Sequence, residues 1–125
     1  MHSYTKINTV YPLAARTAPY APSPVQVNNG YRALRADINV DAIAGAAGAT
    51  LVLTIQRQEP TGGNWVDLLA TAGLTVAGDY VLTISQNIPA AANANAQTIL
   101  PRLLRVTAGG TSTGATFGVA FTWSD

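Results

Sequence analysis

Residues 116–125, TFGVAFTWSD, set the kind of fold this chain can adopt. Phe117, Val119, Phe121 and Trp123 alternate with Thr116, Gly118, Ala120 and Thr122. A period of two sends the two sets to opposite faces of an extended strand. The large apolar set predicts a face buried in a core. The small set opposite predicts a face covered closely by another surface, or lying flat against solvent.

The same period recurs along the chain. In RALRADINVDA, Leu34, Ala36, Ile38 and Val40 alternate with Arg35, Asp37, Asn39 and Asp41. In LVLTIQRQ, Leu51, Leu53 and Ile55 are expected inward, with Val52, Thr54 and Gln56 outward. AGDYVLTISQ puts Tyr80, Leu82 and Ile84 on one face. EPTGGNW, ahead of WVDLLAT, has the Pro and Gly-Gly-Asn chemistry of a hairpin loop. IPAAANANAQTILP has helix-favouring alanines, but its asparagines and bounding Pro89 and Pro101 favour a loop or one short turn. RLLRVTA, GGTSTGA and TFGVAFTWSD read together as a closing hairpin. Short strands with Gly/Asn/Pro turns and no amphipathic helix predict an all-β fold, an antiparallel β-sandwich of jelly-roll-like type over residues 31–125.

Residues 1–30 read differently. Pro12, Pro19, Pro22 and Pro24 rule out a helix and a central strand. Yet Tyr4, Tyr11 and Tyr20, with Ile7, Val10 and Leu13, give the segment too much apolar surface for a tail that stays in water. The expectation is an extended, partly polyproline-like N-terminal arm, with SPVQV able to add a strand at its end. Such an arm can lie over an edge of its own sandwich or on a neighbouring subunit. The neighbour is the favoured surface, with Tyr4, Ile7, Tyr11, Pro12, Leu13, Tyr20 and Pro22 as contact residues.

Charge narrows the functional classes. Charged residues are 10% of the 125 and the net charge is +1, against a usual charged share of about 25%. This fits a surface largely covered by other subunits, or a neutral Thr/Asn surface. The seven basic residues are scattered, which argues against nucleic acid as a partner. No apolar run of membrane-spanning length and no leader pattern is expected, so no membrane partner either. There is no cysteine, and the one histidine is His2.

Chemistry is sought in three places. Asp37, Asn39 and Asp41 match the opening ligands of a calcium loop, but Ala42 and Gly48 stand where that loop needs Gly and Glu. The six carboxylates are each explained by a turn or an exposed strand position, and none pairs with another as a glycosidase requires. The expectation is therefore no enzyme, no metal and no cofactor. Trp65 with Asn64 and Asp67 could form a platform for a glycan, against the alternative that its ring packs under a loop.

LVLTIQRQEPTGGNWVDLLAT, GDYVLTIS and LPRLLRVTAGGTSTGATFGVAF resemble the small β-sandwich virion proteins of tailed bacteriophages, over roughly residues 31–123. The resemblance rests on scaffold features and carries over no functional residue. It implies a capsid decoration, or cement, protein made in the host cytoplasm. Such a protein binds the major capsid protein lattice on the outside of the phage head, often as a trimer, and stabilises it. The alternative is a tail, neck or host-surface module that binds a glycan.

Overall fold

In the computed structural model, which describes residues 5–125, the alternating C-terminal segment is a strand around which the others assemble. In chain order the strands are β1 (Thr5–Thr17), β2 (Gln26–Val27), β3 (Ala33–Ala44), β4 (Val52–Gln58), β5 (Trp65–Ala70), β6 (Gly78–Ser85), β7 (Asn95–Ala96), β8 (Leu103–Gly109) and β9 (Gly114–Ser124). There is no helix among the described residues. One sheet has the order β1-β9-β3-β6-β7 and the other β2-β8-β4-β5. All pairings are antiparallel except the short one between β6 and β7. The fold is all-β, with two sheets enclosing one core.

The core is the set of inward positions given by the alternation. Phe117, Val119, Phe121 and Trp123 of β9 are buried, as are Leu34, Ala36, Ile38 and Val40 of β3. Leu82 and Ile84 of β6 join them, and Leu53, Ile55, Leu104 and Val106 come from the facing sheet. Phe121 and Trp123 meet edge to face at 5.6 Å, a geometry that aligns the positive edge of one ring with the negative face of the other. With the Asn8 amide oriented to satisfy both of its ends, its oxygen accepts from the buried indole N–H of Trp123 at 3.3 Å.

The hairpin expected between residues 102 and 125 is not formed. β8 lies in the four-stranded sheet beside β4, and β9 lies in the other sheet between β1 and β3. The connection is a crossover tied to another crossover. Ser112 N–H donates to Thr50 O and Thr113 N–H to Ala44 O, both at 2.9 Å, on the segment that joins β3 to β4. Gly110, at φ +98°, is required here, because a Cβ would run into the Thr50 carbonyl.

Residues 5–30 are not a free arm, and the boundary expected at residue 30 marks no break in packing. Thr5–Thr17 is an edge strand that pairs along β9 from Thr5↔Ser124 to Thr17↔Gly114. Prolines forbid a central strand but not an edge strand with bulges. The register shifts between Thr9 and Tyr11 and between Tyr11 and Ala14, leaving Val10, Pro12 and Leu13 outside the pairing. The first bulge turns the adjacent Val10 and Tyr11 both into the core, at 2% and 7% exposure. The second carries the Leu13 backbone over Gly118, where a Cβ would lie 3.0 Å from Leu13 Cα. The glycine on the small-residue face of β9 is thus covered by the chain itself.

The segment after β1 crosses to the other sheet. Ser23 N–H donates to Val106 O and Val106 N–H to Ser23 Oγ, both at 2.8 Å, so the serine between Pro22 and Pro24 closes the edge of β8. Gln26 and Val27 continue that edge by pairing with Leu104 and Leu103.

Tyr11 joins the layers. Its hydroxyl donates to Ala21 O at 2.6 Å and lies 3.0 Å from Val106 O, and its ring stands edge-on to Phe117 at 5.3 Å. The Arg16 guanidinium lies 4.9 Å from the centres of both rings. Burial raises the Tyr11 phenol above its ordinary value, with Arg16 and then Arg105 opposing the shift. A raised folded-state value gives stability that is complete below the unfolded value of about 10 and is lost as pH rises past it. Tyr11→Phe should cost about 1–2 kcal/mol at neutral pH by leaving Ala21 O without the Tyr11 hydroxyl as donor, while Val106 O keeps the Ser23 N–H. It should also flatten the decline in stability above about pH 10; denaturant titrations of both proteins from neutral to alkaline pH measure both effects.

Candidate binding surfaces

The outer face of the five-stranded sheet is built from the positions that alternate with the core. β9 contributes Gly118 and Ala120, β3 contributes Asp37 and Asn39, and β6 contributes Asp79 and Val81. With Thr9 and Leu13 of β1 they line a hollow of about 440 Å³. The register explains the grouping, since Asp37 pairs with both Val81 and Ala120, and Asn39 with both Asp79 and Gly118. Around this small-residue floor stand apolar side chains open to solvent: Ile7 at 71%, Leu13 at 51% and Val81 at 48% exposure. One charge on this face is paired, Arg35 Nε lying 3.1 Å from Asp37 Oδ2, and Asp79 also lines the hollow. A floor of small residues with exposed aliphatic groups beside it is ground that a covering protein can bury.

The outer face of the four-stranded sheet is the opposite in character. Gln56 of β4 stands between Asp67 of β5 and Arg105 of β8 in the ladder. Its amide donates to Asp67 Oδ1 at 2.8 Å, and its oxygen accepts from Arg105 Nε at 2.8 Å. The Arg105 guanidinium then lies 4.5 Å from the centre of the Trp65 ring. Three strands are thereby joined by a row of side chains that satisfy one another.

These surfaces place the residues singled out in the sequence. Tyr4 lies outside the described residues. Tyr11 is buried in its own core, and Tyr20 packs on Phe117 at 5.9 Å with its hydroxyl 2.8 Å from Ser112 Oγ. Neither ring is offered to a neighbour, a correction to the arm expected from the prolines and tyrosines. Pro12 and Pro22 are exposed, as are Ile7 and Leu13. Asn64, Trp65 and Asp67 adjoin in sequence, but the Asp67 carboxylate already holds Gln56 and one Trp65 face already carries Arg105.

Sequence reasoning missed Val81, Gln56, Arg105 and Ser23. Val81 had a signal, being the aliphatic residue on the polar side of AGDYVLTISQ. The partners of Gln56 come from other strands, and only the register reveals them.

In comparisons with known proteins, no family model matches the chain and no curated protein matches it either.

The Trp65 cover can be checked directly. Arg105→Ala should red-shift Trp65 emission and raise its quenching by acrylamide, while Trp123, 1% exposed, stays protected. The stability cost should be no more than about 1 kcal/mol, the scale of an exposed cation–π contact.

Proposed function

We propose that this chain is a structural virion protein, a decoration protein that binds the outside of an assembled phage head and stabilises it. The finer fold assignment that goes with this reading is a jelly roll. Leaving aside the two-residue β7, the sheet orders β1-β9-β3-β6 and β2-β8-β4-β5 support it. They are the interleaved orders of two Greek keys folded together, the frame common to viral capsid and lectin domains. A fold does not determine a function, so the weight falls on the surface.

The single observation that carries the reading is the outer face of the five-stranded sheet, with Ile7, Leu13 and Val81 exposed around Gly118 and Ala120. An open sheet face with exposed aliphatic side chains offers the major capsid protein lattice a surface to dock on. In this reading β1 makes contact through its outward side chains, and copies meet as a trimer on the head. The effect is mass action: a protein that binds only the assembled shell stabilises it in proportion to RT ln(1 + [L]/Kd).

The glycan-binding alternative has less behind it, because a sugar stacking on the covered face of Trp65 must first displace Arg105.

The test is co-sedimentation of the full chain with purified phage shells that lack it. The double variant Ile7→Asp/Val81→Asp should keep its fold, since both side chains are exposed, and should bind shells at least about tenfold more weakly. Undiminished binding by a folded double variant would contradict the assignment of this face.

A further inference from the structure

Between the loop that joins β4 to β5 and the segment that leads into β8 lies an opening of about 690 Å³. It shares no residue with the Ile7–Val81 face. Its lining joins two arginines to an apolar wall. Arg57 occupies the inward register of β4, two positions after the buried Ile55, and is only half-exposed. Arg102 comes from the segment just before β8. Among the described residues neither guanidinium is bonded to a carboxylate, the one ion pair being Arg35–Asp37.

The one acid in the lining, Glu59, is committed to its own turn. It accepts from Thr61 N–H and Gly62 N–H, both at 2.7 Å, and from the Thr61 hydroxyl. Those bonds, with the Thr61 hydroxyl foremost, hold Glu59 below the usual carboxylate range, and Arg57 is the smallest contributor. The opening therefore carries a net positive charge, and among the described residues neither arginine fork has a protein acceptor. Beside them Ile99 is 73% exposed, with Pro101 and Leu103 continuing the apolar wall.

We propose that this opening is a docking site for an acidic peptide segment of a partner protein. A carboxylate is taken by Arg57 and Arg102, and a neighbouring aliphatic side chain rests on Ile99. The chemistry selects this class of ligand. Planar guanidinium forks match a carboxylate in two parallel bonds. A bare inorganic anion leaves the Ile99 wall uncovered. Single-stranded nucleic acid is held by aromatic platforms for its bases, and among the described residues no aromatic side chain lines this opening. The site does not depend on the shell-binding reading, and either can fail alone.

The test titrates the full chain with the blocked tetrapeptide Leu-Asp-Glu-Leu, its neutral counterpart Leu-Asn-Gln-Leu, and sodium sulfate, by calorimetry and by backbone NMR. The acidic peptide should bind saturably and shift the Ile99 amide. Arg57→Gln and Arg102→Gln should each weaken it about tenfold, as expected for losing a hydrogen bond to a charged group. Arg32→Gln, an exposed control outside the opening, should leave binding unchanged. The neutral peptide should not bind in the same range, and sulfate should bind more weakly than the acidic peptide. The proposal is overturned by absence of saturable binding, by equal binding of the neutral peptide, by indifference to both arginine changes, or by sulfate binding as tightly as the acidic peptide.

Discussion

The pairing of β1 with β9 is the contact on which the rest of the molecule depends. β9 carries the heaviest aromatic face in the chain, and a strand so apolar needs a neighbour on each side and a sheet opposite. β3 is the neighbour on one side, and on the other it is the Pro-containing segment Thr5–Thr17. β1 succeeds in that place only because it is at the edge and bulged twice. Pro12 has no amide to offer, and the bulge leaves it outside the ladder. Gly118 has no side chain, and that allows the displaced Leu13 backbone to cross over it. The same displacement sends Tyr11 inward, where its hydroxyl holds the crossing segment to β8. One edge of each sheet is thereby closed by residues 5–27.

This closure relocates the functional surface. With Tyr11 and Tyr20 packed on their own domain, the proposed attachment is by a face in place of an arm. The two outer faces differ in the way their charges are handled. On the four-stranded sheet, Asp67, Gln56, Arg105 and Trp65 answer one another and present little unmet bonding capacity. On the five-stranded sheet one ion pair is local, and the rest of the hollow joins Gly118, Ala120 and exposed aliphatic groups to Thr9, Asn39 and Asp79. The latter has more to gain from being covered, because removing apolar surface from water is the main non-directional gain in association.

Much of the architecture was legible in the sequence. The period-two pattern assigned the buried residues of β3, β4, β6 and β9, because alternation is a local property of an extended chain. The β4–β5 hairpin was legible in Glu59-Pro-Thr-Gly-Gly-Asn for the same reason. The connection from β8 to β9 was not. GGTSTGA has turn composition, and composition does not tell a hairpin from a crossover in which Ser112 bonds to Thr50 and Thr113 to Ala44, 62 and 69 positions away. The N-terminal segment was misread because proline rules apply to central strands, and a single sequence does not mark which strand will be at the edge. Of the binding surfaces, Ile7 and Leu13 were legible as apolar residues without a core position. Val81, Arg105 and the grouping of Arg57 with Arg102 at one opening required the tertiary arrangement.

Native-state hydrogen exchange of the β1 amides tests the central claim most directly, since it reads whether residues 5–17 are held to the domain in solution. The structure predicts that the amides of β1 bonded to β9 are protected to a degree approaching that of β9 itself, with Leu13 and the bulge positions exchanging faster. Exchange of the whole segment at unprotected rates, with β9 still protected, would contradict the account and restore a detached arm.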